Sequence, residues 1–111
     1  MPAGFPPRTL VVVSLANPRE KFWGSIRGLS RAGVYLCGID LNSFDGFVAL
    51  LRDGAAAVPS EVFFPMHRVE RIEADQRSSD IPSLSERFMA ATGRSAESLM
   101  AADQLRSVRQ P

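Results

Sequence analysis

Three strand-like runs follow one another near the start of the chain, and they constrain the fold more than any other feature. The run at 10–15 is unbroken, apolar and β-branched, which is typical of a strand buried on both faces or lying in a barrel wall. Turn signals at 17–20 and 30–33 separate it from further runs at 22–29 and 34–41. This spacing predicts an antiparallel meander of three strands joined by tight turns.

Glycines in the second run predict a bent strand. Strict alternation places Gly24 and Gly28 on one face with Phe22, and Trp23 and Leu29 on the other. Two glycines on one face suit a strand that bends sharply or lets another backbone approach closely. Strong curvature is what a small barrel requires.

The hydrophobic period changes after residue 41. Ser43 can cap a helix, apolar residues recur at spacings of three and four from Phe44 to Leu51, and Gly54 stands where a helix would end. This pattern predicts a short amphipathic helix inserted between strands. The alternative is a strand that continues through 47–51.

Two more short strands are expected at 61–66 and 69–73, with Pro65 and then His67 marking a break between them. The tail carries a capping box, Ser83 with Glu86, which predicts a helix that ends at Gly93. A second tail helix is expected to begin at Ser95.

The sequence pattern therefore predicts a mainly β fold with α additions, built on a small five-stranded barrel. Its expected parts are a flexible proline-rich lead-in at 1–8, the barrel at 9–75 with an insertion at 42–60, and a helical tail at 83–108.

Composition restricts the classes of function. The net charge of +1 is too small to attract nucleic acid to the chain as a whole, so any such binding must come from a local basic patch. One cysteine permits no intrachain disulfide, and the sequence shows neither a signal peptide nor an apolar run of membrane-spanning length. We expect a cytoplasmic protein without a membrane partner.

Catalytic and metal-binding patterns are missing from the sequence. His67 is the only histidine and Cys37 the only cysteine, so these two residues alone cannot make a zinc site, and Cys37 lies on a predicted strand with no catalytic motif around it. We expect no enzyme activity, no metal and no cofactor.

The most distinctive segment is 63–72, which mixes aromatic rings with His67, Arg68 and Arg71. Arginines beside aromatic faces can stack on nucleobases and hold phosphates, which favours a binding surface. The structural alternative is a strand break in which His67 bonds the backbone and Val69 helps to close the barrel.

Two other groups allow a functional and a structural interpretation. Trp23 and Tyr35 lie on neighbouring strands and form either core or a stacking platform. Around the first two turns, a basic cluster forms either a solvated surface or an anion-binding patch; its members are Arg19, Lys21, Arg27 and Arg31.

The stretch 10–73 resembles an Sm-like barrel, the family of bacterial Hfq and the Sm and Lsm proteins. The likeness is carried by an apolar strand and turn leading to Phe22-Trp23-Gly24, and by an aromatic strand that runs into His67. Met66 stands where Hfq-like proteins carry a lysine, and the link at 42–60 is longer than usual.

The resemblance implies a ring-shaped homo-oligomer, formed by pairing the strands on either side of His67, with RNA bound near the pore. The expected RNA-binding residues are His67, Arg68, Arg71, Phe64, Tyr35 and Arg27. The expected oligomer contacts are Val62, Phe63, Val69 and Ile72. The alternative is an SH3-like protein-interaction module that binds no nucleic acid.

Overall fold

A computed structural model describes residues 4–101 as one antiparallel sheet with helices packed on one of its faces. The strands are β1 (Leu10–Leu15), β2 (Glu20–Leu29), β3 (Gly33–Asp40), β4 (Ser60–Pro65) and β5 (Val69–Ala74). The helices are α1 (Phe44–Arg52), α2 (Leu84–Thr92) and α3 (Ala96–Ala101), with single 3-10 turns at Leu41–Ser43 and Met66–Arg68.

The expected fold class is confirmed: the domain is mainly β, with a helix between β3 and β4 and helices at the C-terminal end. The strand order is β4-β3-β2-β1-β5, so β4 and β5 are the two edges of the sheet. The predicted helix at 44–51 is confirmed, and the alternative of a continued strand there is wrong.

Side chains of alternate strand residues form two separate cores. The inner face carries an apolar cluster whose members come from β1 to β4: Val11, Val13, Leu15, Ile26, Val34, Leu36 and Phe64. Val62 of β4 and Ile72 of β5 both pack against this cluster. Because residues from both edge strands contact one small cluster, the sheet curves around it.

The outer face carries the second core, beneath the helices. Trp23, Cys37 and Ile39 project from the sheet and meet Phe44 of α1 and Phe88 of α2. Leu99 and Met100 of α3 complete the cluster. The Trp23 ring lies 5.5 Å from the Phe44 ring and 5.7 Å from the Phe88 ring between centroids, a geometry that aromatic pairs favour.

Gly24 and Gly38 face each other across β2 and β3 at close quarters. A Cβ added to Gly24 would lie 2.6 Å from Gly38 Cα, and one added to Gly38 would lie 2.8 Å from Gly24 Cα. Glycine is therefore required at both positions by close approach of the two backbones.

A β-bulge interrupts the strict alternation that was expected along β2. The register skips Arg27, so that Gly28 pairs with Tyr35 and Leu29 pairs with Val34. The extra residue reverses the faces beyond it, so Leu29 packs against the inner cluster, contrary to expectation.

The tail and lead-in lie against the sheet. The capping box of Ser83 and Glu86 is confirmed, and α2 ends at Gly93 with a φ of 75°. Phe5 packs against the inner cluster, and Arg8 N donates to Ile26 O at 2.6 Å. Positions 1–3 of the expected lead-in and 102–108 of the expected tail lie outside the described residues.

None of the helices within residues 4–101 is long and apolar enough to cross a membrane.

Candidate nucleic-acid and assembly surface

His67 lies in the 3-10 turn Met66–Arg68, which joins the two edge strands, and its side chain is exposed. Backbone bonds hold both ends of this turn: Met66 N donates to Ala32 O at 2.9 Å, and Ala16 N donates to Arg68 O at 2.8 Å. The turn therefore presents His67 to solvent from a fixed backbone.

Arg68 has a structural role within its own chain. Its Nε donates to Ala16 O at 3.0 Å and its Nη2 donates to Pro18 O at 2.7 Å. The same Nη2 lies 3.5 Å from Glu20 Oε1, and about a fifth of the side chain is exposed. Arg68 thus fastens the β1–β2 turn to the turn that carries His67, and most of its donors are already engaged.

Phe64 is buried in the inner core. Its ring packs edge-to-face against the Phe22 ring, with 4.9 Å between centroids. Both rings belong to the interior of the curved sheet. The faces of Phe64 are therefore covered by protein and are not open to a stacking base.

Arg27 and Tyr35 lie close to each other at the bulge on the outer face. Arg27 Nη2 donates to Met100 O, so its guanidinium holds the end of α3. Tyr35 is 41% exposed, and its hydroxyl donates to Glu61 Oε1 at 2.7 Å. This hydrogen bond to Glu61 raises the pKa of Tyr35 above its ordinary value.

Arg71 projects from β5 into solvent, where its Nε lies 3.4 Å from Glu73 Oε1. Of the six residues expected to bind RNA, His67, Arg71 and Tyr35 are exposed, whereas Phe64 is buried and Arg27 and Arg68 are held by backbone carbonyls. The six do not converge on a single patch.

The residues expected at an oligomer contact lie on the two edge strands. Val62, Val69 and Ile72 are half-buried against the inner cluster of their own chain. Phe63 differs, because it points outward from β4 directly opposite Tyr35 and is 53% exposed. Together Phe63 and Tyr35 form an exposed aromatic pair at the β4 edge of the sheet.

Asp75 begins the linker between β5 and α2, and it has a structural role that the sequence analysis did not predict. Its carboxylate accepts from Trp23 Nε1 at 2.9 Å and from the backbone N–H groups of Leu84 and Ser85 at 2.8 and 2.9 Å. Ser85 Oγ donates to it at 2.6 Å. The sequence contained one indication of this role: a buried Trp23 needs a hydrogen-bond acceptor for its indole N–H, and Asp75 is that acceptor.

Cys37 lies beneath the C-terminal helices, and burial raises the pKa of its thiol. An inaccessible thiol with a raised pKa is a poor nucleophile. Within residues 4–101, no group of three or more histidine, cysteine or carboxylate side chains is placed to hold a metal ion.

Comparison of the chain with protein-family models, with curated proteins and with solved structures gave no match.

Proposed function

We propose that this chain is a non-enzymatic, Sm-like module that assembles with copies of itself through its two edge strands. One observation carries the proposal: in the order β4-β3-β2-β1-β5, each edge strand keeps one side of its backbone without a ladder partner among residues 4–101. Such an edge is a template for pairing with another chain.

The two edges are matched in length. Each strand has six residues, and β4 exposes Glu61 and Phe63 while β5 exposes Arg71 and Glu73. Antiparallel pairing would join the free backbone donors and acceptors of β4 in one copy to those of β5 in the next. Phe63 would be covered in the same contact.

RNA is the ligand that the resemblance implies. In this proposal the RNA contacts fall on His67 and Arg71, because both are exposed near the junction of the edge strands. Tyr35 offers a ring for base stacking, since it is half-exposed.

A second candidate function is a protein-interaction module that binds no nucleic acid. The observation that favours it is the internal use of the arginines: Arg27 and Arg68 donate to backbone carbonyls of their own chain. With a net charge of +1, little positive charge remains to attract RNA.

Assembly is tested by light scattering coupled to size-exclusion chromatography. We expect a mass of at least twice the 12.1 kDa of one chain. Phe63→Lys should lower that mass, because it places a charge in the proposed interface. Leu50→Lys is the matched control, since Leu50 is 50% exposed on α1 and belongs to neither edge strand. A monomer at every concentration, or an equal effect of the two variants, would contradict assembly through the edges.

RNA binding is tested separately by mobility shift with short unstructured RNA at several salt concentrations. We expect binding that weakens as salt rises, because phosphate contacts release counterions. His67→Ala and Arg71→Ala should weaken it, whereas Arg94→Ala, which removes an exposed charge beyond α2, should not. An assembled protein that shifts no RNA would leave the protein-interaction module as the function.

A further inference from the structure

A row of three side chains crosses the outer face of the sheet at the end away from the bulge. Ser14 of β1 pairs with Lys21 of β2 on one side and with Arg71 of β5 on the other. Because Val13 and Leu15 belong to the inner cluster, Ser14 points to the outer face, and its two neighbours in register share that face. Adjacent strands lie about 4.8 Å apart, so the Cα atoms of Lys21 and Arg71 are separated by roughly 10 Å.

Ser14 is the middle residue of this row, and it is buried. The residue is 3% exposed, and its Oγ has no hydrogen-bond partner within the described part of the chain. A buried hydroxyl without a partner is costly and uncommon in folded proteins. The hydroxyl lies buried between the strands of two long basic residues, where it is a donor that the described part of the chain does not use.

The two basic side chains retain donors for a ligand. Lys21 is exposed and forms no ion pair within 4.0 Å among residues 4–101. Arg71 meets Glu73 through Nε alone, so its two terminal nitrogens have no partner in the same part of the chain. Glu73 opposes anion binding by its charge, because it meets Arg71 Nε at 3.4 Å and lines a cleft together with Lys21.

A third cation stands beside Lys21. Arg19 and Lys21 line one cleft of about 280 Å³ at the start of β2. Two carboxylates line it as well, and both are engaged: Glu20 meets Arg68 at 3.5 Å, and Asp40 Oδ1 accepts from Asn42 N at 2.9 Å.

We propose that Lys21, Ser14 and Arg71 form a binding site for a phosphate group. The chemistry fits a tetrahedral oxyanion, since an ammonium, a guanidinium and a hydroxyl offer charge-assisted and neutral donors from three adjacent strands. The phosphate is either a free anion or the phosphodiester of a nucleic acid, and the experiment separates these sources. The site depends on neither self-assembly nor His67.

The test is titration of the full chain with inorganic phosphate, followed by ³¹P NMR line broadening and calorimetry. We expect weak, saturable binding that Lys21→Ala and Arg71→Ala each weaken about tenfold. Arg94→Ala is the matched control for loss of one exposed positive charge and should bind as the parent does. Ser14→Ala keeps all charges and should weaken phosphate binding without lowering the melting temperature, because it removes an unsatisfied hydroxyl.

The outcomes separate clearly. No binding of phosphate, or equal weakening by Arg94→Ala, would overturn the site, as would full affinity in Ser14→Ala. If an oligouridine displaces bound phosphate, the source is a nucleic-acid backbone; if phosphate binds and the oligouridine does not compete, the source is a free anion. Either source supports the site, even where RNA binding through His67 fails.

Discussion

The indole Nε1 of Trp23 donates a hydrogen bond to Asp75 Oδ2 at 2.9 Å, across fifty-two positions of the sequence. Asp75 follows directly on the last strand, β5, and the same carboxylate accepts from the first N–H groups of α2. One side chain therefore ties together the sheet, its outer core and the start of the C-terminal helices. The position of α2 over Trp23 follows from this contact.

Asp75→Ala should lower the free energy of unfolding by about 2–4 kcal/mol, because four hydrogen bonds to one carboxylate are lost and the helix N-terminus loses its acceptor. Urea unfolding followed by the fluorescence of Trp23 measures this. Asp80→Ala removes an exposed carboxylate from the same linker and should change stability by less than about 0.5 kcal/mol. Equal effects of the two variants would show that Asp75 does not hold α2.

Arg68→Ala should lower the free energy of unfolding by about 1–3 kcal/mol, since it leaves the carbonyls of Ala16 and Pro18 without their donor. Arg68→Lys should recover only part of the loss, because a lysine cannot span both carbonyls with one planar group. Thermal unfolding by circular dichroism measures both. Arg71→Ala, at an exposed site on β5, is the control for loss of one positive charge. If Arg68→Ala left the free energy of unfolding unchanged, Arg68 would have no structural role.

The capping box predicts a pH dependence of stability. The Ser83 N–H donates to Glu86 Oε1 at 2.7 Å, and this bond lowers the pKa of Glu86. The folded state thus favours the charged carboxylate, so its contribution is present above the unfolded pKa of about 4.3 and is lost as pH falls through the lower folded value. Urea unfolding of Glu86→Gln and the parent at several pH values should show a difference that disappears in acid.

The control for this titration is Ser83→Ala, which removes the other half of the box but keeps the N–H that bonds Glu86. It should lower stability by about 1 kcal/mol while keeping most of the pH dependence of the parent, because the Ser83 side chain is the smallest of the causes that lower the pKa of Glu86. A difference between Glu86→Gln and the parent that persists unchanged in acid would contradict the assigned cause.

Glycine-to-alanine substitutions should show where glycine is required because two strand backbones lie close together, and where it is not. Gly24→Ala and Gly38→Ala should each prevent accumulation of folded protein, because the added Cβ meets the backbone of the facing strand. Gly46→Ala is the matched control: it lies within α1 with no atom within 4 Å of the added Cβ, and it should stabilise by up to about 1 kcal/mol. Soluble yield and circular dichroism compare the three, and a folded Gly24→Ala would refute the packing argument.

The sequence by itself determined the elements of this protein. Apolar, β-branched runs and turn residues located the strands, the change of period at 44–51 located α1, and Ser83 with Glu86 marked the start of α2. These features are local, since they depend on residues within a few positions of one another, and pattern and capping chemistry are sufficient to identify them.

Tertiary structure alone decided which side chains remained available. The bulge at Arg27 moved Leu29 to the opposite face of the sheet from the one that alternation predicted. Long-range hydrogen bonds hold the side chains of Arg68 and Asp75 within the fold. The row of Lys21, Ser14 and Arg71 joins the consecutive strands β1 and β2 to β5, which lies far from both in sequence. Strand order and register, which no local pattern encodes, determine these contacts. The sequence named Lys21 and Arg71 as candidates, but only the folded chain showed which side chains lie together.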